Sequence, residues 1–311
     1  MTTFAILIKS HAPDLPYVER LLASCRRHNR TDIPVYLVVP DEDRAAFAHV
    51  ENDVTELLAD SQFGDQLTRT DVAGFSPGYI NQEIIKLCFW ETGLAENYLC
   101  LDSDAEFIRD FTAADFMADE GTPFTFLSED ARLRAEPEYY NEHWVHRDPR
   151  LRRIQAEIGL AESPLLTVHG QAVFSAAVLR SFRDDFLIPR SWDYVAALAI
   201  APYEPTWYSL WLQQSRAIPI IMKEPVFRTF HNAAQHIDFL LADISREDAA
   251  RAYVGVIVNS NYSRGAGVVD FGSDRVTNLA AYLPEHDLLA AAARSAAARA
   301  RRLLAPRSSR A

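Results

Sequence analysis

Between Phe4 and Leu101, short apolar runs alternate with stretches patterned for helix, and that alternation constrains the fold more than any other feature of the chain. Phe4–Ile8 reads as a buried strand, and Asp14-Leu15-Pro16 then opens a helix whose Val18, Leu21, Leu22 and Cys25 recur at i, i+3, i+4 and i+7. Val35–Val39 is the next strand, Pro40-Asp41 starts a short helix reaching Val50, and Val54–Leu58 is a third strand. Gly64 to Gly78 is a loop, after which Ile80, Ile84, Leu87 and Cys88 form the apolar stripe of a helix leading to a fourth strand around Leu99. Repeated strand-helix units of this kind predict a mainly parallel α/β sheet flanked by helices.

The fourth strand runs directly into Asp102-Ser103-Asp104. Residues two apart on extended backbone share a face, so both carboxylates project beyond the strand end, where open α/β sheets bind their ligands. Hard carboxylate oxygens suit Mg²⁺ or Mn²⁺, and such an ion can in turn hold a diphosphate. The plainer reading is a pair of acids that punctuates the end of a buried strand.

Farther on, Phe124–Leu127 reads as a strand, and Glu129 to Pro164 is a polar, aromatic-rich stretch too long for a plain connector. Leu165–Val168 and Ala172–Ser175 read as strands flanking His169-Gly170-Gln171, and a helix follows from Ala176. Pro205–Gln214 is patterned for helix, and Pro219–Met222, Val226–Phe230 and Val254–Val258 for strand. The pattern gives one domain, residues 1–283, and an Ala/Arg-rich helical tail, residues 284–311.

A formal charge of −12 argues against nucleic acid as a partner, since an acidic surface repels phosphate backbones. Cys25, Cys88 and Cys100 sit in apolar settings without metal-ligand spacing and read as core residues of a reducing compartment. Phe4–Ile8 is too short for a signal segment or a membrane span, which predicts a cytoplasmic protein. The tail carries Arg294, Arg299, Arg301, Arg302, Arg307 and Arg310 and no acid after Asp287. It is a candidate for peripheral contact with an anionic inner membrane face, but its arginines spread around the helix, which favours a solvated tail.

Four places together resemble the GT-A type glycosyltransferases, in particular a bacterial nucleotide-sugar-dependent branch: the first strand running into Lys9-Ser10 before Asp14, the segment Tyr79 to Leu87, the Asp-X-Asp triplet, and Phe230-His231. The resemblance implies a GT-A (Rossmann-like) fold with a nucleotide-binding half, about 1–128, and an acceptor half, about 129–283. It implies transfer of a sugar from a nucleotide-diphosphate donor to a glycan or other hydroxyl acceptor, with bacterial surface polysaccharide synthesis as the expected setting. Mn²⁺ or Mg²⁺ would be held by Asp102, Asp104 and His231. Lys9, Ser10, Gln82, Lys86, Asp102 and Ser103 would contact the nucleotide-sugar. Gln82 and Lys86, at i and i+4, are expected opposite the apolar stripe, and an ordinary solvated pair is the alternative.

For the acceptor side, His169 and Gln171 surround a glycine that permits close approach to the backbone, and Trp207 is a further candidate in Tyr203-Glu204-Pro205-Thr206-Trp207. Glu204 is the first candidate for a base or acceptor clamp, against Asp193 and the Asp184-Asp185 pair, or it is an acid stabilising a helix N-terminus. Tyr139, Tyr140, His143, Trp144 and His146 form a platform or lid for a sugar ring, or else pin their segment to the body.

Other functional classes share some of these signals. A haloacid-dehalogenase-type phosphatase also places Asp-X-Asp after an apolar strand, but here the motif lies far into the chain and Glu106 stands where that family carries Thr or Val. A nucleotidyltransferase needs a Gly-rich basic loop after the first strand, and Ser10-His11-Ala12-Pro13 is not one. A catalytically inactive nucleotide-sugar-binding domain is the non-enzyme alternative.

Overall fold

The computed structural model describes residues 2–126, 147–161, 171–231, 233–242 and 244–260. The strands are β1 (Thr2–Lys9), β2 (Val35–Val39), β3 (Thr55–Ala59), β4 (Ala95–Leu101), β5 (Ala105–Phe107), β6 (Thr125–Phe126), β7 (Gln171–Ser175), β8 (Met222–Lys223), β9 (Phe227–Phe230) and β10 (Gly255–Val258). The α-helices are α1 (Leu15–His28), α2 (Arg44–Phe47), α3 (Pro77–Cys88), α4 (Arg147–Ile158), α5 (Ala176–Ser181), α6 (Tyr194–Ile200), α7 (Glu204–Ser215), α8 (Ala233–Leu241) and α9 (Arg246–Ala252).

The main sheet has the order β3-β2-β1-β4-β7. Its first four strands are mutually parallel and β7 runs antiparallel to β4. Phe4 to Ile8 and all of β2 are buried on both pleat faces, which is why these strands read as continuous apolar runs. The helix stripes expected from the sequence, Val18, Leu21, Leu22 and Cys25 on α1 and Ile80, Ile84, Leu87 and Cys88 on α3, are buried in the same core.

Topology decides where a ligand can enter. The chain passes outward from β1 through β2 to β3, then returns across α3 to place β4 on the other side of β1. Strand order therefore reverses between β1 and β4, which opens a crevice at their carboxyl ends. The register aligns that edge: Lys9 pairs with Val38, Val39 with Ala59, and Ile8 with Leu101. Antiparallel β7 brings its first residue, Gln171, opposite Leu101 at the same edge.

Beside the main sheet lies a second, three-stranded sheet of order β5-β10-β9. Its strand β5 begins one residue after Asp104, so Asp102-Ser103-Asp104 is a corner between two sheets, closed by the Ala105 N–H donating to the Asp102 carbonyl at 3.1 Å. β5 spans three residues, too few for a periodic signal. Gly255 on β10 is fixed by close approach: a β-carbon there would press into the Phe227 ring and lie 2.7 Å from the Glu106 carbonyl oxygen. Ile108, Phe230, Ile237, Leu240 and Val256 form a separate small core beneath α8 and α9.

The described part of the long middle stretch contains helix α4, so that stretch is not a plain irregular segment. Tyr139, Tyr140, His143, Trp144, His146, His169, the Leu165–Val168 strand and the tail at 284–311 lie outside the described residues. Among the described residues, no helix is long and apolar enough to cross a membrane.

Candidate active site

The crevice predicted by the strand reversal is a cleft of about 810 Å³. Its floor is the sheet edge, with Lys9 at the end of β1 and Ser10 after it, Pro40 after β2, Asp60 after β3, Asp102 after β4 and Gln171 at the start of β7. One wall is the polar stripe of α3, carrying Tyr79, Gln82, Glu83 and Lys86, and another is the turn Tyr203-Glu204. His231, Asn259 and Ser260, beyond the ends of β9 and β10, complete the lining. Among the described residues, the lining sets eight carboxylates against two lysines.

The two aspartates of the triplet have different surroundings. Asp104 is buried; its Oδ2 accepts the Ser260 N–H at 2.8 Å, while Oδ1 is buried with no hydrogen-bond partner. Burial first, and then the Asp102 charge, push its carboxyl up to about 7. A buried, half-satisfied carboxylate is costly to keep, and a divalent cation on that oxygen removes the cost. The Asp104 backbone is held independently, its carbonyl accepting from the Arg20 guanidinium at 3.4 Å and from the Val258 N–H at 3.3 Å. The Asp102 side chain is 42% exposed and accepts from Lys86 Nζ at 2.9 Å.

This donor set fits a hard cation that takes one or two carboxylates and fills its remaining positions from a phosphate and water. The three expected ligands, Asp102, Asp104 and His231, all line the cleft. Among the described residues, no group of three or more His, Cys, Asp or Glu side chains converges to hold a metal. His231 lines the cleft, and its backbone N–H donates to Gln235 Oε1 at 2.8 Å.

Lys86 lines the cleft, and the solvated alternative does not hold. It is buried, not solvated on an outer face, and its ammonium bridges Asp102 at 2.9 Å and Glu204 at 3.0 Å. Burial alone would lower its pKa; the charges of Asp102 and Glu83 outweigh that and hold it above the ordinary lysine value. Glu83, buried one turn earlier on α3, accepts the Glu204 backbone N–H at 3.1 Å and so secures the first residue of α7. Glu204 is thus a charge-paired carboxylate in the wall of the cleft. Its position at the helix start is also the favourable end of the dipole.

The other expected contacts divide. Ser10, Ser103 and Gln82 reach the cleft; the Ser10 hydroxyl is buried there without a hydrogen-bond partner, and the Ser103 hydroxyl lies 3.5 Å from Asp14 Oδ2. Lys9 donates to the Ser10 carbonyl at 3.0 Å, and burial lowers its pKa against the opposing charges of Asp60, Asp43 and Glu42. Gln171 also borders the cleft, but its amide clamps β9: Nε2 donates to the Phe227 carbonyl and Oε1 accepts the Val226 and Phe227 N–H groups. Trp207 does not reach the cleft at all. It is 0% exposed, packs against Phe182 and Phe186, and donates its indole N–H to the Ala201 carbonyl at 2.9 Å.

Asp14 had read as a helix cap, yet makes no capping hydrogen bond; its carboxylate instead faces the cleft beside His11 and Ser103. Glu83 and Tyr79 were not singled out, although with Lys86 they follow the i, i+4, i+7 spacing of one helix face. Ser260 carries no sequence signal, because its contact with Asp104 spans 156 residues of chain.

No protein-family model matches the sequence, and the curated proteins yield no match. Solved structures do show likenesses. Mouse xyloside xylosyltransferase 1 in its apo form aligns over 84% of this chain and 99% of its own, at 10% identity and a TM-score of 0.46. The apo WbbM bifunctional glycosyltransferase aligns over 90% of this chain and 50% of its own, at 13% identity and a TM-score of 0.47. The sheet order and the chemistry of the cleft, not these likenesses, carry the reading that follows.

Proposed function

We propose that the protein is a metal-dependent glycosyltransferase that takes a sugar from a nucleoside-diphosphate donor and passes it to a hydroxyl acceptor. The observation that carries this reading is the buried Asp104 Oδ1, without a hydrogen-bond partner, at the strand-reversal crevice of a cleft rich in carboxylates. A diphosphate is repelled by such a lining unless a divalent cation enters with it. Asp102 and Asp104 would hold Mn²⁺ or Mg²⁺, which offsets the charge gathered on a departing diphosphate.

The chain's own residues supply the rest. Lys86 keeps Asp102 in place at the mouth of the site, and Ser10 offers a hydroxyl to a polar ligand lying over the end of β1. Glu204, held by the same ammonium as Asp102, presents a carboxylate in the cleft wall, where it can orient an acceptor hydroxyl. Its pairing with the Lys86 ammonium at 3.0 Å holds the carboxylate in one position, which suits a clamp on the acceptor.

A thermal-shift screen of UDP, GDP, CDP, ADP and dTDP, each with and without Mn²⁺, tests the reading. The expected result is a rise in Tm for one diphosphate that requires the metal. A protein that responds to none of them, or hydrolyses p-nitrophenyl phosphate through Asp102, contradicts it.

A further inference from the structure

One ammonium serves two carboxylates of the cleft. Lys86 Nζ lies 2.9 Å from Asp102 Oδ1 and 3.0 Å from Glu204 Oε1, so it is shared between the end of β4 and the start of α7. Among the described residues, Lys86 is the side-chain partner of both. The three backbones are held separately. The Lys86 carbonyl accepts the Tyr98 hydroxyl at 2.8 Å, from the strand that ends at Asp102. The Glu204 N–H donates to Glu83 on α3 at 3.1 Å, and the Asp102 carbonyl accepts the Ala105 N–H at 3.1 Å. Within this frame the side chains differ in freedom: Lys86 and Glu204 are each 7% exposed, whereas Asp102 is 42% exposed and has room to turn from the ammonium toward the cleft.

Such an arrangement opposes an incoming cation. A divalent ion that reaches Asp102 meets an oxygen already neutralised by an ammonium, and that ammonium, confined by burial, repels it. Glu204 acts with the opposite sign: by drawing the ammonium to itself it loosens the hold on Asp102. Burial sharpens this competition, because charges removed from water are screened least.

We infer that Lys86 is a positioning residue that competes with the divalent cation for Asp102, and that Glu204 sets the strength of this competition from the cleft wall. This rests on the transferase reading and deepens it, since metal site and acceptor clamp become coupled through one side chain. Lys86 holds Asp102 in place by occupying the oxygen that the metal would take, so the protein without donor binds the metal weakly. A diphosphate brings its own negative charge and its own oxygen ligands, which outweigh the ammonium. Metal and donor therefore enter together, and the coupling runs both ways: whatever draws Lys86 toward Glu204 favours the metal at Asp102.

The test is a double-mutant cycle on the full chain, read as Mn²⁺ affinity from the electron paramagnetic resonance of free Mn²⁺, at one fixed pH and without nucleotide. Lys86→Met is expected to bind Mn²⁺ about tenfold more tightly than the parent. Glu204→Gln leaves the ammonium to Asp102 alone and is expected to bind about threefold more weakly. The Lys86→Met/Glu204→Gln variant should then bind about thirtyfold more tightly than Glu204→Gln, and no differently from Lys86→Met. That first comparison carries the test even where Lys86→Met alone fails to fold, because the double variant removes both charges. Asp104→Asn, which should abolish the signal, marks it as binding at the corner.

Equal Mn²⁺ affinity in Glu204→Gln and the double variant overturns the inference. So does weaker binding once Lys86 is removed, which would make Lys86 a prop that helps Asp102 meet the metal. An effect of Glu204→Gln that persists undiminished beside Lys86→Met overturns it as well, because Glu204 would then act through its own field. Failure of the transferase reading looks different: neither the parent nor any variant binds Mn²⁺, with or without UDP, GDP, CDP, ADP or dTDP.

Discussion

Lys86 Nζ lies 3.0 Å from Glu204 Oε1, an ion pair formed across 118 residues of chain with both side chains only 7% exposed. Removing one partner strands the other as a buried charge, which typically costs about 3–5 kcal/mol. Lys86→Met should therefore lower stability by that order in urea unfolding. The Lys86→Met/Glu204→Gln double variant should recover part of the loss. Equal destabilisation by the single and double variants would show that the pair is not what Lys86 contributes.

If Asp104 holds a metal as proposed, function and stability pull apart at this residue. Asp104→Asn removes the cost of a buried carboxylate that ordinary hydrogen bonds only half satisfy. The metal-free variant should melt at the same temperature as the parent or higher. Its metal-dependent Tm rise with a nucleoside diphosphate should disappear. A retained rise would remove Asp104 from the metal site.

His236 sets a pH dependence that can be read by difference. Burial, with the Arg20 charge next in importance, pulls its imidazole down to about 4. The unfolded chain therefore takes up this proton first, so stability is complete above about pH 6.5 and falls as pH drops toward 4. His236→Phe, packed against Phe230 in the same small core, should remove that loss. Between pH 7 and 4.5 the parent should lose about 2–3 kcal/mol more than the variant. The subtraction cancels other titrating groups, Asp104 among them. Parallel pH profiles for the two proteins would be the contrary result.

Gly255 admits no side chain without displacing the Phe227 ring or the Glu106 backbone. Gly255→Ala should cost about 1–3 kcal/mol by overpacking. Because β10 leads directly to Ser260, the variant should also blunt the metal response measured by thermal shift.

Much of this architecture was legible in the sequence because it is written in local periodicity. β2 spans Val35–Val39 as expected, α7 extends the expected Pro205–Gln214 by one residue at each end, and the α3 stripe is buried as its spacing implied. The position of the Asp-X-Asp corner followed from counting strands. What escaped was determined by contacts between distant segments. Trp207 reads as a candidate ligand group beside Glu204, but the turn into α7 rotates it into the Phe182–Phe186 cluster. Lys86 reads as a ligand-contacting lysine or a solvated one, and nothing local reveals that Glu204 arrives from the other side to pair with it. Three-residue β5 was invisible because its pairing with β10, not its own pattern, makes it a strand.

The corner at Asp102-Ser103-Asp104 joins two layers that are hydrogen-bonded separately. Asp102 leaves the end of β4 in the main sheet, whereas the Asp104 carboxylate is fastened to the backbone just past β10 in the small one. Any cation held by both Asp102 and Asp104 would therefore tie the edge of the main sheet to the end of the small one, and its removal would loosen that joint.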